Sequence, residues 1–265
     1  MSTFRTRIDT RFAELRARRE KGFIAYITAG DPTLKDTVDR VLRLEDAGVD
    51  IVELGLPFSD PLADGRVNQD SATRALAGGT TFDGVMDCVR RIRVRSQVPI
   101  LFYSYLNLLI ARGFRSTVRK AAQAGADGFL VLDLPVEESR LYVKALHAAR
   151  LNNVTLVTPT SPAERIERIV RSASGFVYCV SREGVTGMQK SLSPAATRLV
   201  RRTRQLTSLP VALGFGISTP EQARAAADAA DAVVVGSAIV DRFNRSSKPA
   251  AAKWVGTLVR AVKQV

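Results

Sequence analysis

The first residue with chemical content is an acid inside an apolar run: Glu53 stands in Ile51-Val52-Glu53-Leu54. A carboxyl buried there is costly unless its proton is used, and desolvation should raise its pKa towards that of a general acid-base. Asp64, in Asp60-Pro61-Leu62-Ala63-Asp64-Gly65, offers a second carboxylate from the adjoining loop. One such group can move protons while the other holds an N–H or a developing positive charge. The competing reading of Glu53 is an ion pair inside the fold. Asp60, which precedes a proline, reads as the start of a turn.

Glycines supply a second signal. Gly214-Phe215-Gly216-Ile217-Ser218 and Gly236-Ser237-Ala238 each follow a short apolar run, and Gly184-Val185-Thr186-Gly187 follows another. Glycine lets backbone N–H groups approach an anion closely, and a helix opening at Ser237 would present its positive end. Tight turns alone would explain one such loop. A matched pair after consecutive strands is how many barrels bind phosphate.

These residues need a scaffold, and the apolar runs provide it. Candidate strands are Phe23–Thr28, Ile51–Leu54, Ile100–Tyr103, Phe129–Leu132, Val154–Val157, Phe176–Val180, Val211–Leu213 and Ala232–Val235. Each is nearly continuous in apolar character, as parallel strands buried on both faces are. Amphipathic segments such as Leu34–Ala47, Val118–Ala124 and Glu221–Ala229 lie between them. That alternation predicts βαβ units. Ala47-Gly48-Val49-Asp50 and Ala124-Gly125-Ala126-Asp127, with Ala173-Ser174-Gly175, form a weak repeat in which a helix ends on glycine and leads into a strand. Eight units in 265 residues fit an α/β fold, a single (β/α)₈ TIM barrel spanning 1–265 as one domain, with an extra N-terminal helix over roughly Ser2–Arg19. Functional residues should then lie at the C-terminal strand ends: Glu53, Asp133, Tyr178 and the glycine loops.

Composition narrows the classes. Hydrophobic content of 46% and charged content of 25% describe a globular chain. No run approaches a membrane span and no secretory signal precedes the first helix, so a cytoplasmic protein with no membrane role is expected. The net charge of +13 could suggest nucleic acid. Its densest runs, Arg11–Lys21, Arg90–Arg95 and Arg198–Arg204, interleave apolar residues at helical spacing and read as solvated helix faces. With no aromatic-plus-basic cluster, no nucleic-acid partner is expected. Cys88 and Cys179 stand apart and read as core residues, and a single histidine, His147, leaves no basis for a multi-histidine metal site.

Five segments resemble the tryptophan synthase α-subunit family: Thr28-Ala29-Gly30-Asp31-Pro32, the run from Val52 through Glu53-Leu54-Gly55-Leu56-Pro57-Phe58-Ser59-Asp60 to Gly65, Asp133-Leu134-Pro135, Gly184-Val185-Thr186-Gly187 and Gly214-Phe215-Gly216-Ile217. The resemblance implies retro-aldol cleavage of indole-3-glycerol phosphate to indole and glyceraldehyde 3-phosphate. Glu53 would be the acid-base, Asp64 would hold the indole N–H, and Tyr178 would match the family's active-site tyrosine. Phe23 and Leu130 would flank the indole ring. Gly187, Phe215, Gly216, Gly236 and Ser237 would bind substrate around the phosphate, with Thr186 on a mobile loop. It further implies no cofactor or metal in this chain, and a β-subunit partner carrying pyridoxal phosphate in an αββα heterotetramer. Arg66 and Asn68 after Gly65, and Leu108, depart from the family's usual residues. A stand-alone lyase releasing free indole and a non-catalytic phosphate-binding barrel are the alternatives.

Overall fold

The computed structural model describes residues 4–180, 194–214 and 216–265. Its strands are β1 (Gly22–Thr28), β2 (Ile51–Gly55), β3 (Ile100–Ser104), β4 (Gly128–Val131), β5 (Asn152–Val157), β6 (Val177–Val180), β7 (Val211–Gly214) and β8 (Ala232–Val235). All neighbours pair in parallel and β8 returns to β1, closing the barrel. The helices that follow are α1 (Arg7–Arg18), α2 (Leu34–Asp46), α3 (Arg66–Ala77), α4 (Phe82–Arg93), α5 (Leu106–Ile110), α6 (Phe114–Ala124), α7 (Arg140–Ala148), α8 (Ala163–Ser172), α9 (Pro194–Arg204), α10 (Pro220–Ala229), α11 (Ser237–Arg245) and α12 (Lys248–Lys263).

Alternation along the strands divides the apolar residues into two layers. Ile24, Ile51, Leu101, Leu130, Val154, Phe176, Tyr178, Ala212, Ala232 and Val234 fill the lumen. Their neighbours, including Phe23, Val52, Phe102 and Phe129, pack outward beneath the helices. Ile8, Phe12 and Leu15 of α1 join the lumen cluster, with Phe12 5.6 Å from Phe176 between ring centroids. The N-terminal helix therefore stoppers the lower end of the barrel.

That helix is shorter than the pattern suggests. Thr6 caps it, accepting from the N–H groups of Ile8 and Asp9, while Asp9 accepts from the Thr6 N–H. This capping box fixes the start at Arg7 and leaves Phe4 and Arg5 outside. The strand β5 begins earlier than its apolar run, at Asn152. Its polar start is satisfied: Asn153 donates from its side chain to the Ser172 carbonyl and from its N–H to Ser174 Oγ, both at 2.8 Å.

The glycines of the repeat take left-handed φ angles of 92°, 101° and 80° at Gly48, Gly125 and Gly175. Two of these turns lead into aspartates that latch the lower rim. Asp50 accepts the N–H of Phe23 at 2.8 Å and an ion pair from Lys263 at 2.7 Å. Asp127 accepts the N–H of Ile100 at 2.8 Å and ion pairs from Arg93 and Arg7 at 2.9 Å. Asp231 repeats the device on Val211 and Arg204. In each case a carboxylate just before one strand caps the opening of the strand before it.

Arg93 corrects the reading of its basic run as a solvated face. Arg90 and Arg91 are exposed, but the Arg93 side chain is 11% exposed and also donates to the carbonyls of Gly125 and Val98. Burial pushes its pKa down to about 10, against the pull of Asp127. Cys88 and Cys179 are buried free thiols, pushed up to about 12 and about 11 by desolvation. His147 packs edge-on against Phe4. No helix among the described residues is long and apolar enough to cross a membrane.

Candidate active site

The upper mouth of the barrel gathers the chemistry. On β1 the even-numbered side chains face inward, starting with Ile24, so Tyr26 enters the mouth and packs edge-on against Tyr103 of β3 with ring centroids 4.9 Å apart. Phe23, expected beside the substrate ring, has the opposite parity. It lies at the lower end of β1, fully buried in the layer beneath the helices. The aromatic residue that β1 brings to the mouth is Tyr26. Leu130 does face the lumen, as the register partner of Tyr103.

Glu53 pairs in register with Tyr26 on one side and Leu101 on the other. It is 2% exposed, and its Oε1 has no hydrogen-bond partner among the described residues. Burial, reinforced by the negative charge of Asp64, pushes its pKa up to about 8. Near neutral pH Glu53 thus carries its proton and can exchange it within the physiological range.

Asp64 reaches the mouth from the loop between β2 and α3. The Tyr103 hydroxyl donates to Oδ1 and the Tyr105 hydroxyl to Oδ2, each at 2.8 Å, and Asn68 Nδ2 stands 3.5 Å from Oδ1. The Tyr105 hydroxyl also accepts the Ala63 N–H at 3.1 Å, which ties the loop to the end of β3. Burial raises the Asp64 pKa, and the three donors oppose that rise. The two carboxyls differ in kind: Glu53 is desolvated, with Oε1 unpartnered among the described residues, whereas Asp64 is surrounded by donors that favour its anion.

Tyr178 stands on β6 between Leu156 and Ala212, and its phenol is raised by burial and by the nearby Glu53 charge. Two glycines make room for the mouth's tyrosines. A Cβ at Gly55 would lie 2.4 Å from the Tyr26 hydroxyl, and one at Gly214 would lie 2.5 Å from that of Tyr178. No side chain fits at either position without displacing a ring.

After β7 and β8, Gly216 adopts φ 72° and Gly236 leads into α11 at the exposed Ser237. Among the described residues no side chain caps α11, and uncapped N–H groups at a helix start are suited to an anion. Thr186, Gly187 and Phe215 lie outside the described residues, as does the 181–193 loop. Asp133 has a local role, accepting the Leu106 N–H at 2.7 Å at the start of α5.

Sequence reasoning missed Tyr26, Tyr103, Tyr105 and the inward turn of Asn68. Counting by two from Ile24 and Leu101 reaches Tyr26 and Tyr103, so parity carried the signal for both. Tyr105 lies beyond the strand, where parity no longer applies. Among the described residues no group of three or more His, Cys, Asp or Glu is arranged to hold a metal ion.

A closed parallel barrel with a protonated carboxyl and a donor-held carboxylate at its upper mouth defines an acid-base enzyme of the (β/α)₈ class. A family model described as tryptophan synthase alpha chain matches residues 12–264. The chain belongs to that family and is a lyase of tryptophan biosynthesis. It is 46% identical over 259 residues to the tryptophan synthase alpha chain of Geobacter sp. (strain M21), covering 98% of this chain and 97% of that one. It is 50% identical over 236 residues to that of Opitutus terrae, covering 89% of each. The tryptophan synthase subunit alpha of Legionella pneumophila superposes with a TM-score of 0.90 at 32% identity, covering 99% of this chain and all of that one.

Proposed function

We propose that the chain cleaves indole-3-glycerol phosphate by a retro-aldol reaction in which Glu53 moves both protons and Asp64 holds the indole N–H. Glu53 delivers its proton to indole C3, giving an indolenine whose positive charge spreads to the ring nitrogen beside the Asp64 carboxylate. The Glu53 carboxylate then takes the proton of the glycerol hydroxyl next to the scissile bond. As that C–O becomes an aldehyde carbonyl, the carbon-carbon bond breaks and its electrons return to the ring, releasing indole and glyceraldehyde 3-phosphate. One proton leaves Glu53 and one returns, so the group is ready for another turnover.

The observation that carries this reading is the unlike state of the two carboxyls. The acid must start protonated and the N–H acceptor must start charged; burial that pushes Glu53 up to about 8, against burial of Asp64 that three donors oppose, supports that division. Tyr178 lies near enough for the Glu53 charge to act on its phenol, and Gly216, Gly236 and Ser237 suit the phosphate, with Thr186, Gly187 and Phe215 completing substrate contacts. Leu130 and Tyr26 flank the ring. The chain works as a single barrel over 1–265 in the cytoplasm, without its own cofactor. It passes indole to a pyridoxal-phosphate β subunit in an αββα heterotetramer.

The test is cleavage of indole-3-glycerol phosphate by the purified chain, with both products followed, alone and with a β subunit. Equimolar indole and aldehyde, released faster when the partner is present, is expected. High turnover unaltered by the partner indicates a stand-alone lyase. Phosphate binding without cleavage indicates a non-catalytic barrel.

A further inference from the structure

A carboxylate offers roughly four acceptor positions, two on each oxygen. Among the described residues, three are filled at Asp64: Tyr103 and Asn68 on Oδ1, and Tyr105 on Oδ2. The open position is on Oδ2. The three donors come from different elements, β3, the segment just after it, and α3, so they fix the rotation of the carboxylate as well as its place.

We propose that Tyr103 is a positioning residue for the cleavage: its hydroxyl, locked on Oδ1, turns the free position of Oδ2 toward the indole N–H and holds Asp64 as the anion. The proposal rests on Asp64 being the N–H acceptor. Tyr103 suits the task because its own ring is held, edge-on to Tyr26 and beside Leu130 in register. Its phenol is raised well above its ordinary value by burial and then by the Asp64 charge, so it remains a donor throughout the working pH range. Tyr105 shares the carboxylate but also anchors the loop through the Ala63 N–H. Tyr103 has no such second bond among the described residues, which makes it the cleaner probe.

Asp64 accepts hydrogen bonds from Tyr103 and Tyr105 on the β3 side and from Asn68 of α3, and the titratable groups coupled to its charge include Glu53 of β2 and Tyr26 of β1. Removing the Tyr103 hydroxyl takes away a donor to the charged form, so the Asp64 pKa rises. The acid limb of the kcat/KM profile, which reports ionisation of Asp64, then moves to higher pH.

The experiment compares Tyr103→Phe, Asp64→Asn and the double variant, with kcat and KM for indole-3-glycerol phosphate followed across pH. Tyr103→Phe keeps the ring and its packing, and an unchanged thermal midpoint verifies that the fold is intact. A fall in kcat/KM of about tenfold and an upward shift of the acid limb by about one pH unit are expected, from the loss of one hydrogen bond to a charged group. In the Asp64→Asn background the same change should cost nothing further, because the group it acts through is gone. Losses that multiply in the two backgrounds, or an unmoved acid limb, overturn the role of Tyr103. Wild-type cleavage by Asp64→Asn alone overturns instead the reading of Asp64 on which the proposal rests.

Discussion

Tyr26 and Glu53 are direct register partners across the β1–β2 ladder, and both side chains turn into the barrel mouth. The acid is therefore built into the barrel wall beside an aromatic ring, and its position is set by strand pairing rather than by a loop. Its chemistry and its effect on stability follow from that placement.

Glu53→Gln removes the exchangeable proton at nearly constant shape. Its kcat should fall at least about 10²-fold. Stability should respond in the opposite sense. The folded pKa of about 8 lies above the ordinary carboxylate value, so the native state binds this proton more tightly than the unfolded chain. Its contribution is fully present below about pH 4.5 and is lost as pH rises towards 8, at up to about 1.4 kcal/mol per pH unit. Denaturant unfolding at pH 5 and pH 8 should show the wild type losing stability that the Gln variant keeps. Parallel pH dependence in the two proteins would contradict the raised pKa.

Gly214→Ala places a methyl group against the Tyr178 hydroxyl and 2.8 Å from the Val234 Cβ. Overpacking of this kind costs typically 1–3 kcal/mol. Because the displaced ring belongs to the mouth and feels the Glu53 charge, kcat should drop more than the loss in thermal midpoint would imply. A fully active variant would show that the tyrosine's position is immaterial.

Ser237→Asp puts a negative charge at the first residue of α11, where the substrate phosphate is expected to sit. A carboxylate there takes the N–H groups and repels the phosphate, yet favours the helix itself. KM for indole-3-glycerol phosphate should rise about tenfold or more, with kcat and thermal midpoint little changed. An unaltered KM would place the phosphate elsewhere.

Asp127→Ala strips the partner from the buried Arg93 guanidinium and leaves the Ile100 N–H uncapped. Breaking a buried pair from one side costs about 3–5 kcal/mol. Calorimetry should show a marked fall in midpoint, whereas kcat below the transition should hold, since the latch lies at the rim opposite the chemistry.

The fold was legible because each strand is apolar on both faces and each connecting helix has one apolar stripe, so period alone located eight units. Glu53 and Asp64 were legible as acids out of place, and the glycine pair as loops after consecutive strands. Phe23 was misplaced because resemblance picked an aromatic residue without counting its parity along β1. Tyr103 and Tyr105 escaped because a tyrosine in an apolar run looks like core until its hydroxyl has a partner. Arg93 escaped because a buried cation among arginines leaves no mark in the sequence.

The backbone caps made by Asp50, Asp127 and Asp231 reach no further than 27 residues along the chain. Each can close as soon as its own strand-helix-strand segment has collapsed, long before the ring is complete, and contacts this local favour fast folding. The last join is different. Gly22 meets Asp231 and Ala232 across more than two hundred residues, through backbone pairing at the β1–β8 seam. The lower rim is thus fastened piece by piece during collapse, while the mouth that needs Tyr26 of β1 beside α11 after β8 is complete only when that seam shuts.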